Sequence, residues 1–151
     1  MHPMKDSIPE ISLVVPMYNE ADVLDHFFAR VLPLMESLQL SYEIICVNDG
    51  STDDTFSKLL LHNHFNSRIK ILDLSRNFGK ESALTAGIEN ASGNAVIPLD
   101  ADLQDPPELI QQMIEKWREG NEVVIGVRAD RESDSFFKKT TANLFYKLIG
   151  K

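Results

Sequence analysis

Two carboxylates separated by one small residue, Asp100 and Asp102, stand at the centre of Pro98-Leu-Asp-Ala-Asp-Leu-Gln-Asp-Pro-Pro107. Directly after a strand, such a pair can turn its oxygens into one cavity. Hard divalent cations take oxygen ligands, and Mg²⁺ commonly uses one or two carboxylates while substrate phosphates complete its shell. Gln104 adds a neutral carbonyl oxygen to this set. Asp105, followed by Pro106, Pro107 and Glu108, reads instead as a helix cap with proline in the first turn. The pattern points to a cation held for a phosphate-bearing ligand.

Other polar residues collect at comparable places. Asp49 follows an apolar run, and Gly50 permits a tight turn beside it. A carboxylate there can accept hydrogen bonds from a nucleobase, although Asp-Gly also makes a plain turn. Tyr18, Asn19 and Glu20 follow the first apolar run, with Asn19 doubling as a helix cap. Lys80 and Arg76 can neutralise phosphate, Arg76 serving equally well as a solvated surface residue. A Walker A loop is excluded because Leu74 stands where its first glycine belongs. No Gly-x-Gly-x-x-Gly follows the first run, which disfavours dinucleotide redox chemistry. His26, His62 and His64 lie on helical segments and read as structural, and Trp117 as a packing residue.

Five short apolar runs must position these groups: Ile11–Val15, Glu43–Val47, Ile69–Leu74, Ala95–Leu99 and Glu122–Val127. Each is nearly continuous rather than alternating, the pattern of parallel strands buried on both faces. The stretches between them are long enough for one crossover helix each. This predicts an α/β sandwich of Rossmann type with a mainly parallel sheet flanked by helices. In such sheets ligands bind at the carboxyl ends of the strands, where every run delivers polar residues. Asn19 is expected to cap a helix over Glu20–Leu38 that Pro33 kinks or divides, and Ser51 or Thr52 to cap the next. Gly93 and Gly120 are expected to terminate helices.

Composition is ordinary for a globular chain: 151 residues, 43% hydrophobic and 25% charged. One domain of this length buries enough surface to need neither disulfides nor a structural metal. The single cysteine, Cys46, lies in an apolar run and reads as a buried reduced thiol. Fifteen basic residues against 23 acidic ones give a net charge of −8, which disfavours nucleic acid as a partner. The imbalance is uneven. Residues 128–151 carry six basic and three acidic side chains, so this tail is +3 on a chain otherwise −11. Within it Phe136/Phe137, Leu144/Phe145 and Leu148/Ile149 form a stripe at helical spacing, flanked by Lys138, Lys139 and Lys147. The division expected is a tail over 1–9, one α/β domain over 10–133 and a basic amphipathic helix over 134–151.

Four blocks in order resemble the GT-A glycosyltransferases of family 2: Val15-Pro-Met-Tyr-Asn-Glu20, Asn48-Asp-Gly-Ser-Thr-Asp-Asp-Thr55, Arg76-Asn-Phe-Gly-Lys80 and Asp100-Ala-Asp-Leu-Gln-Asp-Pro-Pro107. The subgroup resembled is that of the dolichol-phosphate mannose synthase-like enzymes, especially bacterial bactoprenol-phosphate glucosyltransferases. The resemblance implies that Pro16, Tyr18, Asn19, Glu20, Val47, Asp49 and Lys80 hold the nucleotide, Asp49 reading its base. Asp100, Ala101 and Asp102 would line the ribose and diphosphate, and Asp100, Asp102 and Gln104 would bind Mg²⁺ or Mn²⁺. Arg128, helped by Arg131, would meet a phosphate; Asp102 and Arg128 are the expected catalytic pair. The implied reaction moves a hexose, glucose from UDP-glucose, to a polyprenyl phosphate with inversion at the cytoplasmic face of a membrane. The basic tail would then lie on anionic headgroups; a helix packed on the sheet or on a second copy in a homo-oligomer is the alternative.

Subgroup members continue past the length of this chain, with acceptor segments and commonly two membrane helices, so a fragment or short version is expected. Three rival readings differ in where the acids fall. A haloacid-dehalogenase-type phosphatase needs its aspartates after the first strand. A receiver domain needs paired acids there and a lysine after the fifth. An inactive nucleotide-sugar-binding remnant would keep the same donor residues.

Overall fold

The computed structural model describes residues 8–126, and its elements alternate from the start. Strand β1 spans Ile11–Met17, helix α1 Ala21–Ser37, β2 Tyr42–Asn48, α2 Thr55–Phe65, β3 Ile69–Asp73, α3 Lys80–Glu89, β4 Ala95–Pro98 and α4 Leu109–Arg118. The four strands form one parallel sheet in the order β3-β2-β1-β4. This is the expected mainly parallel α/β architecture.

Burial follows the alternation of side chains along a strand. From β1 and β2, Leu13, Val15, Met17, Ile44 and Cys46 enter a core with Leu24, Phe27 and Val31 of α1, Leu59 of α2 and Ile110 and Ile114 of α4. Their neighbours Val14, Ile45 and Val47 point the other way and meet Ala83 of α3. Helix α3 lies close: a Cβ on Gly87 would stand 2.3 Å from Val14 Cγ1, so only glycine fits. The central strands are therefore covered on both faces, as continuous apolar runs require. At the sheet's edges the pattern weakens. Only Ile69 of β3 and Ile97 of β4 are buried there.

Several local expectations are corrected. Among the described residues, 121–126 form no strand, although five of the six residues of Glu122–Val127 fall there. Val123 is 67% and Ile125 55% exposed. A cavity of about 400 Å³, walled by Val96, Pro98, Trp117 and Val124, separates this segment from β4. A β-branched run acquires a ladder only with a neighbour about 4.8 Å away, and here the cavity takes that place. Pro33 lies inside an unbroken α1. Asn19 does not cap α1; Glu20 is its N-cap residue, and α2 begins at Thr55 after Asp54 rather than after Ser51 or Thr52. Likewise α4 begins at Leu109 with Glu108, not Asp105, at the N-cap position. Gly120, at φ +97, does terminate α4. Gly93 has another reason to be glycine: a Cβ there would stand 2.6 Å from Ser12 N.

At the amino ends of the strands Glu43 is buried and fully occupied. Its Oε1 accepts hydrogen bonds from Ser12 Oγ at 2.6 Å, Ser92 N at 2.8 Å and Ser92 Oγ at 2.8 Å. Lys70 Nζ stands 2.5 Å from Oε2. Burial alone would raise the Glu43 carboxyl, but Lys70 and the two serines outweigh it and hold it at about 2.

Candidate functional site

The chain order reverses direction across the sheet between β1 and β4. From β1 it runs outward through β2 to β3, then returns to β4 on the far side of β1. Loops leaving two such strands diverge and leave a crevice at their carboxyl ends, the place where open α/β sheets bind ligands. A cavity of about 300 Å³ lies there. Its wall is built from the end of β1 (Pro16), the β1–α1 loop (Tyr18, Glu20) and the β4–α4 loop (Asp100, Ala101, Asp102, Gln104). Asp49, in the loop after β2, and Lys80, the first residue of α3, close it.

These loops hold one another by side-chain capping at long range. Asn19, at φ +52, accepts hydrogen bonds on Oδ1 from Thr52 N at 2.8 Å and Asp53 N at 3.3 Å. In return Ser51 Oγ, Thr55 Oγ1 and Asp53 Oδ2 accept from the N–H groups of Asn19, Glu20 and Ala21. The first amides of α1 are thus satisfied from the Asn48–Thr55 block rather than by a neighbour in sequence. Burial would raise the Asp53 carboxyl, but hydrogen bonds from Thr55 and the Ala21 N–H outweigh it and hold it low.

Asp49 is only 2% exposed. Its Oδ1 accepts from Phe78 N at 2.7 Å and Oδ2 from Gly79 N at 3.0 Å. Each oxygen keeps a second acceptor site while the carboxylate clamps the loop that carries Lys80. Gly50, at φ +67, makes the approach possible: a Cβ there would stand 2.4 Å from Arg76 C and Asn77 N. The Arg76 guanidinium lies 4.2 Å from the centre of the exposed Phe78 ring and does not line the cavity.

On the opposite wall Leu103 is held at φ +52, a strained conformation for a branched side chain, and the turn carries Asp102 and Gln104. Asp102 Oδ1 accepts from Gln104 N at 3.3 Å. Lys80 Nζ reaches across to Asp100 Oδ1 at 2.6 Å. The Glu20 carboxyl is raised by burial first, then by Asp102, Asp100 and Asp53, with Lys80 opposing. Among the described residues, Lys80 on Asp100 is the ion pair these crowded carboxylates make.

Of the predicted site residues, the structure brings together Pro16, Tyr18, Glu20, Asp49, Lys80, Asp100, Ala101, Asp102 and Gln104. It does not bring in Val47, whose side chain is buried against α3, or Asn19, whose amide serves the Thr52 turn. Arg128, Arg131 and the basic amphipathic stretch 134–151 lie outside the described residues. Met17 and Asn77 also line the cavity and were missed. Asn77 lies within the Arg76–Lys80 block, which flagged it by position; Met17 read only as core.

The donor set fits a hard cation in one way. Among the described residues no three His, Cys, Asp or Glu side chains form a metal cage. Two carboxylates and an amide oxygen could hold Mg²⁺ or Mn²⁺ where a ligand's own oxygens complete the shell. The larger apolar cavity beside β4 has Glu122 as its one ionisable lining residue and offers no such set.

Comparison with known proteins places this architecture. The model of glycosyl transferase family 2 matches residues 12–150, and the chain belongs to that family. It is similar to the uncharacterized glycosyltransferase sll0501 of Synechocystis sp., with 56% identity over 94% of this chain and 45% of that protein. The bactoprenol glucosyl transferase of Shigella phage SfV is 45% identical over 94% of this chain and 46% of its own. The chain thus spans a little under half the length of these curated relatives. Among solved structures, the mannosyltransferase PcManGT from Pyrobaculum calidifontis, in complex with GDP-Man and Mn²⁺, matches with a TM-score of 0.53 and 23% identity. That match covers 67% of this chain and 34% of the other, and it supports the GT-A fold.

Proposed function

We propose that this chain serves an inverting glycosyl transfer from a nucleotide-sugar, UDP-glucose, to a polyprenyl phosphate at the cytoplasmic face of a membrane. The observation that carries the reading is the convergence of Glu20, Asp100, Asp102, Gln104 and Lys80 on one crevice at the sheet's switch point, in a family 2 chain. Similarity to a protein named bactoprenol glucosyl transferase supports glucose as the hexose and a polyprenyl phosphate as the acceptor.

In this reading Asp49 uses its remaining acceptor sites for the base, and Tyr18 and Pro16 border the nucleoside. Asp100, Asp102 and Gln104 would hold Mg²⁺ or Mn²⁺, which when bound supplies positive charge beside the diphosphate. Lys80 adds a second positive group, and Arg128 and Arg131 are assigned to phosphate. An acceptor phosphate oxygen attacks the anomeric carbon as the bond from that carbon to the diphosphate oxygen breaks. The nucleoside diphosphate leaves with the electron pair. A phosphate monoester is largely dianionic near neutrality, its second pKa being about 6, so the attack needs no strong base. This agrees with the lining of the cavity, which includes no histidine among the described residues. Among the described residues no helix is long and apolar enough to cross a membrane, and membrane contact is assigned to the basic stretch 134–151.

Incubation with labelled UDP-glucose, Mn²⁺ and vesicles carrying undecaprenyl phosphate tests the activity. Label is expected in the lipid extract with inverted anomeric configuration. Release of free glucose with no lipid-borne label would contradict the acceptor assignment. Co-flotation with anionic vesicles, lost at high salt, is expected for the tail; no retention at low salt would remove the membrane role.

A further inference from the structure

Lys80 is the first residue of α3, where outward amide N–H groups make a cation unwelcome. Packing does not hold it there, since its side chain is 64% exposed. The backbone beneath it is fixed, because buried Asp49 accepts both Phe78 N–H and Gly79 N–H. A rigid base therefore projects a flexible ammonium over the crevice. That ammonium sits 2.6 Å from Asp100 Oδ1, on a carboxylate assigned to the divalent cation. A lysine ammonium is a compact point charge, and a divalent cation binding the same carboxylate meets its repulsion, which solvent screens only in part at this exposure.

We propose that Lys80 is a built-in counter-cation for Asp100, which the divalent ion displaces only when a nucleoside diphosphate arrives to receive the released ammonium. The proposal rests on the reading of the crevice as a cation-dependent nucleotide site. Without nucleotide, Lys80 occupies Asp100 Oδ1 and weakens the affinity for metal alone. With nucleotide, the ammonium exchanges its carboxylate for the diphosphate, and Asp100 is freed for the metal. Metal and nucleotide thus enter as a coupled pair, each raising the affinity of the other by the same factor. Lys80 is a binding and positioning group in this scheme and takes no part in proton transfer.

The test measures two affinities in wild type, Lys80→Gln and Lys80→Arg. Binding of Mn²⁺ alone is read from the electron paramagnetic resonance signal of free Mn²⁺, and binding of UDP at saturating Mn²⁺ from calorimetry. Lys80→Gln is expected to bind Mn²⁺ alone roughly three- to tenfold more tightly and UDP with Mn²⁺ roughly three- to tenfold more weakly. These opposite changes are what the loss of one exposed ion pair and one phosphate contact would give. Lys80→Arg, which keeps the charge, is expected to restrain Mn²⁺ as wild type does. Unchanged Mn²⁺ affinity in Lys80→Gln, with Mn²⁺-dependent UDP binding intact in wild type, would overturn the counter-cation role alone. Absence of UDP binding to wild type at saturating Mn²⁺ would overturn the site reading and this proposal together. An equal melting temperature for all three proteins is expected, and a large drop in Lys80→Gln would make the lysine structural and contradict the proposal.

Discussion

The sheet carries carboxylates at both ends, and the two ends treat them in opposite ways. At the amino end Glu43 is buried, bonded to Ser12 and Ser92 and paired with Lys70. Its environment is complete, and its carboxyl is held at about 2. At the carboxyl end Glu20, Asp100 and Asp102 gather around one lysine, and Glu20 is driven upward by burial and by its acidic neighbours. Internal partners convert a buried charge into structure. Crowded charge without enough partners is the condition in which a cation from outside is favoured.

Substitutions at the two ends should fail differently. The largest effect expected is for Asp102→Asn, which should lower glycosyl transfer by about 10²–10³-fold, the scale of losing one preorganised charge-stabilising group. Its thermal midpoint should stay within a few degrees of wild type, measured by circular dichroism. A comparable loss of folding stability would erase the distinction between the ends.

Glu43→Ala should show the reverse, losing about 3 kcal/mol in urea denaturation because polar groups built around a charge are left buried and unpaired. The same residue predicts a pH dependence. Its folded value, about 2, lies below the ordinary 4.5, so its stabilisation is present above pH 4.5 and is lost as pH falls toward 2. Glu20 carries the opposite sign: its raised carboxyl costs stability at neutral pH, and protonation on acidification relieves that cost. Urea midpoints against pH should therefore lose their steep acid limb in Glu43→Gln and keep it in Glu20→Gln.

Gly50→Ala should cost roughly 1–3 kcal/mol, since its Cβ would overlap the Arg76 carbonyl carbon at a positive φ. It should also weaken nucleotide binding by moving the loop that carries Lys80. The smallest effect is expected at Cys46. Burial pushes this thiol's pKa far up, so a thiol-alkylating probe should leave the native protein unlabelled and react only after denaturation.

Much of this arrangement was legible in the residues themselves. The unbroken apolar character of Ile11–Val15 and Glu43–Val47 announced strands covered on both faces, and polar residues after four runs located the crevice. The acid pair was found where its spacing placed it, after β4. What sequence did not carry was long-range satisfaction of backbone groups. Ser51 and Thr52 looked like caps for the helix that follows them, yet Ser51, Asp53 and Thr55 satisfy amides at the start of α1, more than 30 residues earlier. Gly93 looked like a helix stop, but its constraint is the approach of Ser12. Asp49 looked like a nucleobase acceptor or a plain turn residue, and it proves to clamp the segment leading to Lys80. The fifth apolar run had the composition of a strand, but composition supplies no partner, and a cavity lies where one would pair.

The central claim is that the carboxyl end of this sheet is left open in order to bind a nucleoside diphosphate through a divalent cation. Calorimetric titration of UDP into the wild-type chain and into Asp102→Ala, each with Mn²⁺ and with the metal chelated, tests it most directly. Binding heat is predicted for wild type with Mn²⁺ only, with none for Asp102→Ala under either condition. Equal binding after chelation, or undiminished binding in Asp102→Ala, would contradict it.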